Sequence, residues 1–483
     1  MRLLEILEGV EYSILQGTDT DIKNIAIDSR KVKEGDVFIC IEGLQADGHN
    51  FIDDALKAGA CAIIVSKNIA SYDNVVIAKV TNTRAAMSIM AGNLYGWPAR
   101  NYPLIGVTGT NGKTSSTFFL ESVLKEAKRK AGLIGTVATK VGDISVKTEF
   151  ATSTTPDPIE LQQIFKEMLD MGADSVVMEV TSHALEFRKM EGLQFAVSIF
   201  TNLTQDHLDL HGTMENYARA KARLFEISDI SIINIDDEYG KFMASYAKGK
   251  IVFYSVNNPG DLQALNVKYW SHGVSFSLKV EGELLDFEIP IPGRFTVYNA
   301  LGVIGAALSL NIPVDIIQKA LRKLEGVPGR IQSIPNDKGI GVYVDYSHTP
   351  DSLKNILTSV REFTRGKVII VFGCGGDRDR AKRPIMGEIA AELADFSIIT
   401  SDNPRSEDPQ AIIDEVEAGV KPVTKEYIKL VDRKEAIFYA VNIAKAGDSV
   451  VIAGKGHENY QVFADKTIHF DDACEAAKAL KGL

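Results

Sequence analysis

Lys113 and Thr114 stand directly behind the turn Gly109-Thr110-Asn111-Gly112, and a cation and a hydroxyl following two glycines form a site suited to phosphate. The glycines let the backbone approach a ligand without β-carbon clashes, which aims successive N–H groups and a helix N-terminus at one point. Lys113 would neutralise the β- and γ-oxygens of ATP, and the Thr114 hydroxyl would ligate the accompanying Mg²⁺. The general nucleotide pattern asks for a glycine five residues before Gly112, where this chain has Val107, so the motif is met in a shortened form. Such a turn also serves as a plain strand-to-helix connection; Gly-Lys-Thr after a strand is what favours phosphate.

Further chemistry-bearing residues lie downstream. Glu179 ends the apolar run Ser175-Val-Val-Met-Glu-Val180, where a carboxylate is costly unless it is paired or faces a ligand. It is a candidate to hold Mg²⁺, and a buried salt bridge is the alternative. His207 and His211 sit four apart in a polar loop; zinc is disfavoured because no third ligand follows at metal-site spacing. Lys221 lies among alanines on the predicted helix 216–225, and periodicity reads it as a solvated helix residue. Near the other end of the chain come Gly375-Gly-Asp-Arg-Asp-Arg380, Asp402-Asn-Pro-Arg405 and Gly454-Lys-Gly-His-Glu458. Each could be a turn, but several charged loops at one sheet edge are better explained by a small charged ligand.

The elements that position these residues read as α/β throughout. Leu104, Ile105 and Val107 form a buried strand before the phosphate turn, and Phe118, Leu120, Val123 and Leu124 recur at helical spacing after it. Residues 1–100 mix short apolar runs (37–41, 62–65, 75–78) with helical stretches, as in a small α/β domain. Trp97-Pro98 and Asn101-Tyr-Pro103 mark a linker, and Gly326-Val-Pro-Gly-Arg330 marks a second. Residues 101–331 alternate strands and helices as in a mostly parallel sheet, with a β-rich portion over 251–292. Four apolar runs over 332–483 predict a doubly wound, Rossmann-like sheet whose ligands bind beyond the strand ends.

Composition agrees with a folded, soluble chain. Its 483 residues allow about three domains on a prior of ~150 residues each. With 45% hydrophobic and 24% charged residues, disorder is not expected to dominate. A net charge of −11 offers no footprint for nucleic acid. No apolar run approaches the ~18 residues of a membrane span, and Met1-Arg-Leu-Leu-Glu lacks a signal-peptide core, so no membrane contact and a cytoplasmic location are expected. Cys40, Cys61, Cys374 and Cys474 are scattered without CxxC spacing and read as small buried hydrophobes.

The segments TGTNGKT (108–114), MEVTSHAL (178–185), TNLTQDHLD (201–209), YARAKARLF (217–225), DYSHTPDSL (345–353), GGDRDRAKRP (375–384), DNPR (402–405) and GKGHE (454–458) together resemble the Mur ligases, in family order and over essentially the whole chain. The resemblance is closest to the members that add the third peptide residue. It implies an N-terminal UDP-sugar domain, a central ATPase and a C-terminal amino-acid domain, in a chain expected to be monomeric. It also implies roles for particular positions. Lys113 and Thr114 would serve ATP and Mg²⁺, with Glu179, His207 and a carbamylated Lys221 as metal ligands, and Asn299, Arg330 and Asp345 would contact the nucleotide. Ile27, Ser29, Leu44, Gln45, Ala46, Thr154, Thr155 and Ser182 match positions that bind UDP-N-acetylmuramoyl-L-Ala-D-Glu. Where the family commonly carries Gln and Arg, this chain has Phe187 and Lys189; Lys189 keeps the charge without a bidentate fork.

For the incoming amino acid, Asp402, Asn403, Pro404 and Arg405 take the form seen in relatives that use meso-diaminopimelate. Its second carboxylate suits the planar Arg405 fork. Arg378, Gly454 and Glu458 match the remaining contacts. The reaction implied is ATP-driven amide formation through an acyl phosphate. Lysine addition, folylpolyglutamate synthesis and a nucleotide-dependent binding module without turnover are the competing readings.

Overall fold

The computed structural model describes residues 1–43, 46–146, 154–270, 273–327 and 329–482. It divides into two compact units, Met1–Lys113 with Ala127–Phe253, and Thr114–Glu126 with Tyr254–Leu483.

The first unit holds an N-terminal five-stranded sheet in the order Tyr12–Gln16, Val76–Val80, Ala62–Val65, Val37–Ile39, Ile25–Ala26. All its pairings are parallel except that of Tyr12–Gln16 with Val76–Val80. Val37–Ile39 and Ala62–Val65 are buried at every residue, which is why they read as unbroken apolar runs rather than alternating ones. The helix Thr83–Tyr95 begins where the Asn82 side chain accepts hydrogen bonds from Arg84 N and Ala85 N, and it stops at the left-handed Gly96.

The same unit carries seven successive strands of a larger sheet: Ser228–Asn234, Phe195–Phe200, Leu104–Thr108, Ser175–Glu179, Ala131–Ile134, Thr139–Val141 and Ile144–Ser145. The first five run parallel. Leu104–Thr108 is wholly buried between Ser175–Glu179 and Phe195–Phe200. The segments leaving the carboxyl ends of these three strands therefore emerge side by side, and they are the phosphate turn, Glu179 with the segment after it, and the loop from Thr201 to His211. On the helix that follows the turn, Phe119 is the fully buried ring and Phe118 only half-buried, a one-residue correction to the expected core face.

In the second unit Leu262–Trp270, Gly273–Val280 and Glu283–Ile289 form the antiparallel meander expected of the β-rich stretch. A six-stranded sheet follows in the order Gln332–Ser333, Gly341–Asp345, Ser449–Ala453, Val368–Phe372, Phe396–Ile399, Tyr427–Lys429. All but the first pair in parallel. The four predicted strands are its centre. The two edge strands are short and incompletely buried, so they carry no apolar run to read.

Cys40 and Cys374 are buried as expected, whereas Cys61 is half-buried and Cys474 exposed, since it lies in the first turn of the helix Asp472–Lys481 away from its buried face. No helix among the described residues is long and apolar enough to cross a membrane.

Candidate active site

The phosphate turn is shaped by the neighbouring loop. Asn202 O accepts from Thr110 N at 2.8 Å and Asn202 Oδ1 from Asn111 N at 3.0 Å, while Thr201 Oγ1 donates to Asn111 O at 2.6 Å. A β-carbon at Gly109 would lie 1.8 Å from Thr201 Oγ1, so this position admits glycine alone. Thr201 and Asn202 can brace the turn because the strands Phe195–Phe200 and Leu104–Thr108, far apart in sequence, are adjacent. Thr114, on the first turn of the helix Lys113–Glu126, is buried.

Two ammonium groups converge on one carbonyl. Lys113 Nζ donates to Gly109 O at 3.0 Å and to Thr110 O at 2.9 Å, and Lys221 Nζ donates to the same Gly109 O at 2.8 Å. Lys221 is 1% exposed, which overturns its reading as a solvated residue. The cause is packing on both sides of the helix Met214–Glu226. Ala218, Ala220 and Ala222 are fully buried, and their small side chains let neighbouring elements close around the lysine stem. Its Nζ lies 4.7 Å from the centre of the Tyr217 ring, and it makes no ion pair among the described residues. Burial, reinforced by the charge of Lys113, pushes the Lys221 pKa well below its ordinary 10.5.

Glu179 is 1% exposed at the end of its strand. Its Oε1 accepts from Thr136 N at 2.9 Å and its Oε2 from Thr136 Oγ1 at 3.2 Å. A β-carbon at Gly135 would lie 2.4 Å from Oε1, so the glycine before Thr136 makes room for this carboxylate. Thr154 and Thr155 join the same network: Thr154 Oγ1 lies 3.0 Å from Thr136 Oγ1, and Thr155 Oγ1 donates to Glu179 O at 2.9 Å. Lys189 reaches in as well, donating to Thr155 O at 3.3 Å and pairing with Asp157 at 2.9 Å. Thr154, Thr155 and Lys189, predicted from separate segments, thus gather around Glu179.

Ser182 opens the helix Ser182–Glu186, capped by Thr181, whose hydroxyl accepts from Ala184 N at 3.2 Å. The Ser182 hydroxyl lies 3.0 Å from His211 Nε2, so His211 is a direct neighbour of Ser182. The His207 ring centre is 4.8 Å from that of His183. Burial, together with the positive charges of Lys221 and Lys113, lowers the pKa of His207 from 6.5 and favours the neutral ring that a metal ligand requires.

Of the N-terminal positions, Ile27 and Ser29 follow the strand Ile25–Ala26, and Ala46 lies in the segment following Val37–Ile39. These strands are adjacent and parallel, so both segments leave one edge of the sheet. Ile27 is 39% exposed and Ala46 is exposed. Leu44 and Gln45 lie outside the described residues.

In the second unit Asn299 and Arg330 present buried polar atoms, Nδ2 and Nε, that bond to nothing among the described residues. Such atoms are costly unless a ligand supplies the partner. Asp345 is committed within the fold, its Oδ2 accepting from Ile331 N at 2.8 Å and its Oδ1 from Ser347 Oγ.

The three charged loops interlock at the carboxyl edge of the six-stranded sheet. A β-carbon at Gly376 would lie 1.9 Å from Pro404 O, and one at Gly375 would lie 2.9 Å from Arg405 Nη1 and 3.7 Å from Arg378 Cγ. Arg405 Nη1 donates to Gly376 O at 2.8 Å, with the arginine backbone at φ 51°. Asp402 Oδ1 accepts from Asn403 N at 2.6 Å, and a β-carbon at Gly454 would lie 2.5 Å from Asp402 Oδ2. Asn403 Nδ2 donates to Glu458 Oε2 at 2.9 Å. Asp402, Asn403, Pro404, Arg405, Arg378, Gly454 and Glu458 are therefore one cluster. Arg383 was missed; fully buried, it forks onto Glu407 at 2.8 and 2.9 Å and donates to Gly375 O at 3.2 Å, tying two of the loops together.

Three family descriptions match the chain: Mur ligase family, catalytic domain, over residues 21–95; Mur ligase middle domain, over 107–307; and Mur ligase, glutamate ligase domain, over 329–456. The chain is 48% identical over 479 residues to the UDP-N-acetylmuramoyl-L-alanyl-D-glutamate--2,6-diaminopimelate ligase of Clostridium tetani, covering 98% of each chain. It is similar to a solved structure of an enzyme of that name, with a TM-score of 0.71 and 32% identity over 95% of both chains. It also shares the fold of the MurF ligase of Thermotoga maritima solved with ADP, at a TM-score of 0.58 and 22% identity over 95% of this chain and 98% of that one.

Proposed function

The chain belongs to the Mur ligase family, and from that premise we propose that it joins meso-2,6-diaminopimelate to UDP-N-acetylmuramoyl-L-Ala-D-Glu, using ATP and releasing ADP and phosphate, in the building of peptidoglycan precursors. The observation that carries this reading is the buried Lys221, sharing the Gly109 carbonyl with Lys113 and lacking an ion-pair partner among the described residues. A buried ammonium in that position calls for an anion or for conversion into one.

Its depressed pKa supplies the conversion. A neutral Lys221 amine can attack CO₂, forming an N–C bond to give a carbamate and releasing one proton. Cation becomes anion, and the lysine turns from a neighbour that repels Mg²⁺ into one that attracts it. Thr114, Glu179, His207 and the Lys221 carbamate are the residues that would hold Mg²⁺, whose charge would offset that developing on the transferring phosphoryl group. The hard oxygen donors among them, with one neutral imidazole, suit that ion.

Gly109, Thr110, Asn111 and Gly112 supply the backbone donors that cradle the phosphates, and Lys113 neutralises the β- and γ-oxygens. Asn299 and Arg330 offer their unpartnered polar atoms to the nucleotide, and Asp345 fixes the backbone beside Arg330 through Ile331 N. The γ-phosphoryl group passes to the D-glutamate side-chain carboxylate. The amine of diaminopimelate then attacks the acyl carbon, the C–O bond to phosphate breaks, and the amine loses a proton. Ile27, Ser29, Ala46, Thr154, Thr155, Ser182 and Lys189, with Leu44 and Gln45, would hold the UDP-sugar peptide. Arg405 would fork onto the distal carboxylate and Glu458 would meet the distal ammonium, with Arg378 and the Asp402–Pro404 and Gly454 backbone completing the pocket.

The assignment divides the chain into a UDP-sugar domain (1–100), an ATP domain (101–331) and an amino-acid domain (332–483), acting as a cytoplasmic monomer without nucleic-acid or membrane contact. Phosphate release with ATP, Mg²⁺ and the UDP-sugar dipeptide, comparing meso-diaminopimelate with L-lysine and checking product mass, tests it. Preference for diaminopimelate supports the whole reading. Preference for lysine keeps the ligase and overturns the role of Arg405, and the absence of phosphate release with both amino acids leaves a binding module.

A further inference from the structure

Lys455 lies inside the Gly454–Glu458 loop and is 0% exposed. Nothing in its local sequence marks it, since a lysine between two glycines reads as a turn residue. Its Nζ donates to Glu458 Oε2 at 3.0 Å and to Asn403 Oδ1 at 3.2 Å, and faces the Tyr460 ring at 5.3 Å. Asn403 closes the ring by donating its own Nδ2 to Glu458 Oε2 at 2.9 Å, and Val462 N anchors Asn403 Oδ1 at 3.0 Å. Two donors thus converge on one oxygen of Glu458. The other, Oε1, has no hydrogen bond among the described residues, and the side chain keeps 17% of its surface.

A buried ion pair is weak evidence for stability, because desolvating both charges cancels much of their attraction. What this arrangement does fix is direction. With Oε2 held by a lysine and an amide, the carboxylate cannot rotate, and Oε1 is the oxygen left for an incoming cation.

We propose that Lys455 is a positioning residue for amino-acid specificity: by locking Glu458 and Asn403 into one rigid unit, it aims a carboxylate oxygen at the distal ammonium of a diamino diacid. The proposal rests on the assignment of Glu458 to that ammonium made above. Lys455 does not itself touch the substrate.

The test compares kcat/KM for meso-diaminopimelate with that for 2-aminopimelate, which keeps both carboxylates and lacks the distal amine. The wild type should prefer diaminopimelate by about 10- to 100-fold, the range for one charge-assisted hydrogen bond. In Lys455→Met that ratio should fall to within about threefold of unity, while KM for ATP and for the UDP-sugar dipeptide stays within about twofold. A merely structural lysine would slow both amino acids by the same factor, and an unchanged ratio overturns the proposal. Should Lys455→Met fail to fold, Glu458→Gln is compared with Lys455→Met/Glu458→Gln, which buries no lone charge. Equal KM for diaminopimelate in those two upholds action through Glu458, and a further rise in the double variant overturns it. A wild type that uses neither amino acid fails the proposed function instead, so the two failures are separable.

Discussion

Lys221 in the first unit and Arg433 in the second are equally buried cations at 1% exposure, and they have opposite surroundings. Arg433 forks onto Asp472 with both contacts at 2.7 Å, and it donates to Ala453 O at 3.0 Å and Ser401 O at 3.4 Å, the carbonyls just ahead of the Gly454 and Asp402 loops. Lys221 has one carbonyl, one aromatic face and a second lysine close by. Arg383 and Lys455, also fully buried in the second unit, each have a glutamate partner. The contrast separates two uses of a costly group. A buried cation matched by a carboxylate is scaffold, here holding loops in place; one left without an anion is the candidate for chemistry.

Breaking the unmatched cation should cost the most activity and little stability. Lys221→Ala is expected to lower kcat by about 10³-fold, the scale for losing one electrostatic contact to the transition state, with Tm unchanged or raised. A short carboxylic acid added to the assay should restore part of the loss, and full activity without it would remove the carbamate from the mechanism. The matched cation should behave the other way. Arg433→Met is expected to cost about 3 kcal/mol of stability by denaturant unfolding, because Asp472 would remain as a lone buried charge. Adding Asp472→Leu should recover most of that loss; no recovery would mean that the carbonyl contacts, not the ion pair, carry the effect.

Arg405→Lys keeps the charge and loses the fork, so KM for diaminopimelate should rise about 10-fold with KM for ATP unchanged. An unchanged diaminopimelate KM would detach Arg405 from the distal carboxylate. The smallest effect expected is on acid stability. Burial lowers the pKa values of His183, His207 and His211 below 6.5. The unfolded chain then binds protons first, so stability holds above about pH 6.5 and declines as pH falls through that value toward the folded pKa values. Tm recorded from about pH 7 to about pH 5.5 should drop, and His183→Asn should lessen the drop. A flat profile would show that these rings do not differ between the two states.

What was legible in the sequence follows the same division. Gly109 to Thr114 could be read because turn glycines, lysine and hydroxyl are contiguous, and because the apolar run before them fixes the strand. Strand ends at Glu179 and ahead of the Asp402 and Gly454 loops were readable for the same reason. The burial of Lys221 was not, since a helix face is hidden by what packs on it and alanines permit close packing without announcing it. Pairings such as Arg433 with Asp472, 39 residues apart, or Thr136 with Glu179, 43 apart, exist only once the sheets have formed. Lys455 escaped notice because its partners lie both in its own loop and in another one, brought near by parallel strands.

Arg405 holds a left-handed backbone angle, φ 51°, that asparagine and glycine adopt more easily. Its loop is shaped chiefly by glycine, because Gly376 leaves the space that Pro404 O fills, and the side chain adds one tie, from Nη1 to Gly376 O at 2.8 Å. Mutational drift at codon 405 therefore runs downhill in backbone energy toward residues that have no guanidinium fork. If Arg405 serves the distal carboxylate as proposed, a lineage that stopped needing it would lose this arginine at the cost of one hydrogen bond to Gly376 O, so its retention in a descendant would itself record continued selection on the amino acid being added.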